Sequence, residues 1–156
     1  MYEEEFDRIS RLLQRLRSDA SAKIVFLVDK NGQQIAGAGE IDLLDTTSLA
    51  SLTAGNVAAT DGLAKLIGEK EFSILFHEGR KDNIHISIVG QRLILVVIFD
   101  ERSSLGLVRL RVRKASQEIE DVLGEMESKA SQGGDVDGES PFAEITDEDI
   151  DALFSE

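Results

Sequence analysis

Residues 93–99 read Leu-Ile-Leu-Val-Val-Ile-Phe. Seven apolar residues in a row, rich in β-branched and aromatic types, predict a strand over 92–99, and neither of its faces is polar. A strand of that kind needs cover on both sides, so it belongs at the centre of a sheet that lies between helices. The rest of the chain has to supply the neighbouring strands and two helical layers.

The strands are all found upstream of it. Residues 83–89 alternate Ile84, Ile86 and Ile88 against His85 and Ser87, and residues 71–77 form a further strand. The short links at Gly79 and Gly90 make these neighbours antiparallel. Upstream, 23–28 (Lys-Ile-Val-Phe-Leu-Val) is short and apolar, Asp29-Lys30-Asn31-Gly32 supplies tight-turn residues, and 33–37 returns. Three helices complete the pattern. Phe6, Ile9, Leu12, Leu13 and Leu16 recur at three-and-four spacing over 2–18. A second helix runs from an Asp45 cap to Gly68, and Leu105, Val108, Val112, Ala115, Ile119, Val122 and Met126 repeat along a long third one. Reading 105–112 as an alternating strand leaves the continuation to Met126 unexplained. The expected fold class is α+β: order α-β-β-α-β-β-β-α, an α/β/α sandwich whose five-stranded antiparallel sheet has helices on both faces.

The chain has 156 residues, no cysteine and a formal charge of −13. That length supports one core of ordinary size, so the division expected is a domain over 1–128, a flexible linker over 129–141 and an acidic helix over 142–156. From Ser131 onward there are nine acidic residues and no Lys or Arg, so most of the negative charge is concentrated there. A phosphate backbone would repel such a chain, which argues against nucleic acid despite the local Arg109, Arg111, Arg113 and Lys114 cluster. No apolar run approaches the roughly 20 residues needed to cross a bilayer. The N-terminus lacks a secretory pattern, so a cytoplasmic location is expected.

The sequence holds no recognisable catalytic frame. His77 and His85 lie in neighbouring predicted strands without the companions of a metal or acid–base site. Gly37-Ala38-Gly39 lacks the lysine and hydroxyl of a phosphate-binding loop, and Asp29-Lys30-Asn31-Gly32 lacks the distal glutamate of a calcium loop. We therefore expect no catalytic residue, cofactor or metal, and a small-ligand enzyme is the least favoured reading.

The middle helix is unusual. Ala50, Ala54, Ala58 and Gly62 form one ridge of small residues, and Ser51, Gly55 and Ala59 form the ridge beside it. Each glycine costs roughly 1 kcal/mol of helix propensity against alanine, which suggests that another backbone comes close. The stripe reads either as close packing on its own sheet or as a landing surface for a partner. Because Leu49, Leu52, Leu63, Leu66 and Ile67 are available to face the sheet, the second reading is preferred. Near the C-terminus, Thr146 and Glu148 to Asp149 have the pattern of a helix cap, followed by Ile150, Leu153 and Phe154 on one edge. So short a helix needs a partner or a docking site.

Segments 26–36 (FLVDKNGQQIA), 45–69, 76–79 (FHEG), 95–116 and 140–156 (SPFAEITDEDIDALFSE) together resemble the roadblock/LC7 family, in particular its bacterial cell-polarity members. Residues 124–139 carry no part of the likeness. The resemblance implies a homodimer whose sheets join edge to edge and whose middle helices lie side by side, with a GTP-bound, MglA-like small GTPase seated across the pair. It implies stimulation of GTP hydrolysis without an arginine finger, by repositioning the GTPase's own catalytic residues, in cell polarity and gliding motility at a cell pole. Ala54, Ala58, Ala59, Gly62 and Lys65 inherit the contact role. The terminal helix with Ile150, Leu153 and Phe154 inherits an auxiliary role in nucleotide exchange. The alternative within the same family is a scaffold that recruits partners without altering hydrolysis.

Overall fold

A computed structural model describes residues 3–41 and 44–137. The order is α1 (Glu3–Asp19), β1 (Ile24–Asp29), β2 (Gln34–Gly39), α2 (Thr46–Leu66), β3 (Ile74–Glu78), β4 (Asn83–Val89), β5 (Leu93–Phe99) and α3 (Leu105–Asp137). The sheet runs β2-β1-β5-β4-β3, and every neighbouring pair is antiparallel. β5 lies at the centre with all seven residues buried, as its two apolar faces require.

Alternation along the strands sorts the core into two layers. Val25, Leu27, Leu93, Leu95, Val97 and Phe99 face one side, where Ile9, Leu13 and Leu16 of α1 and Val108, Val112 and Ile119 of α3 cover them. Ile24, Phe26, Val28, Ile94, Val96 and Ile98 face the other, covered by Ala50 and Val57 of α2. The pairing of β1 with β2 shifts register between Leu27 and Val28, a bulge that bends this edge of the sheet. In the hairpin between them, the Asp29 carboxylate accepts from the backbone N–H of Asn31 and of Gln33 at 2.9 and 3.0 Å, and Gly32 takes φ +93°. That carboxylate is therefore occupied in holding a turn, and burial pushes its pKa up.

The helices differ from expectation in three particulars. Phe6, expected on the inner face of α1, is part exposed, and the buried position beside it belongs to Glu5. Glu5 is tolerated there because the Lys129 ammonium lies 2.5 Å from its carboxylate and holds it below the ordinary range. That contact also bears on the second difference: α3 does not stop near Met126 but continues through Asp137, across much of the stretch where a linker is expected. Arg8 with Glu125, Arg15 with Glu118 and Glu5 with Lys129 fasten α1 antiparallel to α3 along this length. The third difference concerns α2 and is taken up below. The expected terminal helix over 142–156, with Ile150, Leu153 and Phe154, lies outside the described residues.

Leu95 is fully buried in the centre of the sheet, so Leu95→Ala should lower unfolding free energy by about 2–5 kcal/mol. Leu110→Ala, on the exposed side of α3, should stay within about 0.5 kcal/mol of the parent. Urea unfolding at equal protein concentration measures both.

Candidate functional site

α2 begins where the Asp45 carboxylate accepts hydrogen bonds from the Ser48 backbone N–H and hydroxyl. It ends where Gly68, at φ +83°, lets the chain leave the helix. It packs on β1 and β2, and Asn56 reaches the imidazole of His77 on β3 at 2.9 Å. The helix thus spans the sheet face nearly alone.

Its orientation corrects the expectation that the large residues turn inward for all of them but Leu49, which is half-buried against the core. Ala50, Thr53, Ala54, Val57 and Ala64 are buried, whereas Leu52 (72% exposed), Leu63 (59%), Leu66 (84%) and Ile67 (68%) project outward. The physical reason lies in the sheet, which already offers Phe26, Ile94, Val96 and Ile98 on this side. Small residues on the helix let its backbone settle onto that bulky surface. Of the expected contact residues, Ala54 is therefore part of the core, while Ala58, Ala59, Gly62 and Lys65 are exposed. A Cβ added at Gly55 or Gly62 would meet nothing within 4 Å, so neither glycine is required by packing within this chain. Lys65 lies 3.9 Å from Asp61 one turn back, a weak surface pair.

Two further features were not legible beforehand. A cleft of about 140 Å³ opens beside Ala54 and Ala58, with Val57, Phe72 and Ile88 as its apolar walls and Lys30 and Asp61 among its lining residues. It is assembled from four separate segments, so no local pattern announces it. The outward leucines make an apolar surface of a kind that monomers rarely leave open.

The histidines do not form a site. His77 lies on the α2 side of the sheet and His85 on the α3 side, so they cannot share a ligand. Among the described residues no group of His, Asp or Glu side chains is arranged to hold a metal ion. His85 is buried between Phe76 and Val97 of the adjacent strands, and neither ring nitrogen has a partner among the described residues. Burial first, and then the Arg109 guanidinium on α3, lowers its pKa and keeps it neutral.

The roadblock/LC7 domain model matches residues 8–99, well over half of the chain. This chain belongs to the roadblock/LC7 family. Within the family it is similar to Myxococcus xanthus MglB, at 63% identity and TM-score 0.77, over 80% of this chain and 94% of that one. It is also similar to the gliding protein MglB from Thermus thermophilus, at 30% identity and TM-score 0.75, covering 80% and 95%. A third relative, an MglB with a tetrameric arrangement, shares 29% identity at TM-score 0.75 and covers 80% and 94%. No curated protein matches the chain significantly. No helix among the described residues is long and apolar enough to cross a membrane.

A neutral buried histidine gives this roadblock domain a signature. Its folded pKa lies below the unfolded value of about 6.5, so the unfolded chain binds more protons, and stability should fall as pH drops below about 6.5. The carboxylates of Glu5, Asp45, Asp100 and Glu125 are held low and lose their contributions only below about pH 4.5. The melting temperature should therefore decline between pH 7.5 and 5.5, and His85→Leu should flatten that decline.

Proposed function

We propose that the chain is a homodimeric, non-enzymatic regulator of an MglA-like small GTPase, binding its GTP form through α2 and stimulating hydrolysis without contributing an arginine. The observation that carries the reading is the outward face of α2. One stretch of it presents Leu52, Leu63 and Leu66 with Ala59 among them, which need a large apolar cover, and beside it Ala58 and Gly62 allow a second backbone to approach. A second copy of α2 suits the leucines, and the open edge of β3, with Ile74 beside it, suits the same strand of that copy. The small residues with Lys65 then remain for the GTPase. Likeness to MglB at 63% identity supports the assignment.

The arginines fit a mechanism that needs no finger. Arg102 is tied to Asp100 at 3.0 Å, and Arg80 sits in the exposed β3–β4 turn. Stimulation would come from where the dimer holds the GTPase's own catalytic groups. The domain over 1–128 makes the main contact, and the acidic segment 142–156, through Ile150, Leu153 and Phe154, assists nucleotide exchange. A cytoplasmic role in cell polarity and gliding motility at a cell pole follows from the same reading.

The test is binding and turnover with the organism's small GTPase. Ala58→Arg or Gly62→Arg should weaken binding roughly ten- to a hundredfold, because overpacking costs about 1–3 kcal/mol where two backbones meet. Since both positions are exposed, the melting temperature and the dimer should be unchanged; a broken dimer would reassign this stripe to the homodimer contact. Leu66→Glu should instead produce monomers at micromolar concentration by sedimentation. Arg80→Ala should retain stimulation within severalfold, whereas a true finger is worth about 10³–10⁵ in rate. If binding leaves turnover unaltered, the protein is a scaffold.

A further inference from the structure

One surface remains without a role. In a chain of net charge −13, the N-terminal part of α3 has the opposite sign, with Arg109, Arg113 and Lys114 exposed. Three other cations along α1 and α3 are neutralised: Arg8 by Glu125, Arg15 by Glu118, and Lys129 by Glu4 and Glu5. Arg109, Arg113 and Lys114 make no ion pair with any described residue. Among them Leu110 is 58% exposed. Helical spacing puts Leu110, Arg113, Lys114 and Gln117 on one face, opposite the Val108, Val112, Ala115 and Ile119 that pack on the sheet.

We propose that this basic face, with Leu110 at its centre, is the docking site for the acidic segment 142–156 of a second copy of the chain. That segment carries Glu144, Asp147, Glu148, Asp149, Asp151 and Glu156 and no cation. It also carries Ile150, Leu153 and Phe154, so it matches the face in both charge and apolar content. Its own chain offers a poor route. Arg113 lies about 36 Å back along α3 from Asp137 at 1.5 Å per residue. Twelve residues, 138–149, reach at most about 3.3–3.6 Å each, so they could cover that distance only when almost fully extended. A copy with a different starting point has no such restriction. The exposed leucine favours a peptide with apolar side chains over a simple anion. A segment held on α3 is withheld from the GTPase. That regulatory consequence rests on the proposed function, whereas the docking itself does not.

The absence of cysteine makes a clean test possible in the full chain. Gln117→Cys protein is mixed with Ser155→Cys protein, without GTPase, and oxidised. The mixed disulfide, which joins two copies by definition, should exceed either like-with-like product. Arg113→Glu with Lys114→Glu, both at exposed positions, should reduce it about tenfold, as should high salt. Adding Glu148→Lys and Asp149→Lys to the partner chain should restore it. Trapping that ignores the charge reversal, or fails to return with the swap, overturns the proposal. So does unchanged trapping with lost sedimentation on phosphatidylglycerol vesicles, which would make the patch a lipid surface. Loss of GTPase binding in Ala58→Arg with trapping intact would separate the two surfaces.

Discussion

Everything in this fold depends on a strand that water cannot touch. β5 has no polar side chain and no exposed one, so both of its faces must be covered before the chain gains from folding at all. That requirement forces the two-layer arrangement, and alternation along β1 and β5 then assigns each strand side chain to one layer or the other. The layers are not equivalent. One is closed by two helices fastened along their length by ion pairs, the other by a single helix.

That inequality explains how the fold comes to present so broad a surface on one side. A lone helix across a sheet leaves most of its circumference free, and its composition decides what the free part does. In α2 the small residues at 50, 54 and 64 bring the backbone down onto the sheet, which leaves Leu52, Leu63 and Leu66 no place inside. The surface a partner would meet is thus a by-product of how the helix is seated. It is both flat and greasy because its large side chains are displaced outward and its small ones recur on both sides.

The succession of elements along the chain, the antiparallel links and the central position of β5 were legible because each depends on local periodicity and on which faces are apolar; the pairing of β1 with β5 was not. The Asp45 cap was legible too, because its geometry is set by adjacent residues. The facing of α2 was not. Helical periodicity identifies an apolar stripe, but α2 has apolar residues nearly all round, and the choice of inner face is made by side chains on β1 and β5, far away in sequence. Glu5 was missed for a related reason, since a buried carboxylate is intelligible only once Lys129 arrives from the far end of the chain. The end of α3 was misjudged because small and acidic residues beyond Met126 gave no apolar repeat, while its ion pairs with α1 cannot be seen in one dimension.

The bulge between Leu27 and Val28 bears on how assembly stops. A sheet with two equivalent open edges could add strands indefinitely, one copy after another, and become a fibre. Here the two edges are dissimilar: β3 pairs with β4 in uninterrupted register, while β2 is glycine-containing and bent away by the irregular pairing beneath it. Joining two copies through β3 consumes the one straight edge that each possesses and leaves a twisted edge at either end. Such a contact would be isologous and self-terminating, and would close the architecture at a finite particle whose growth is limited by a single misaligned residue in the register.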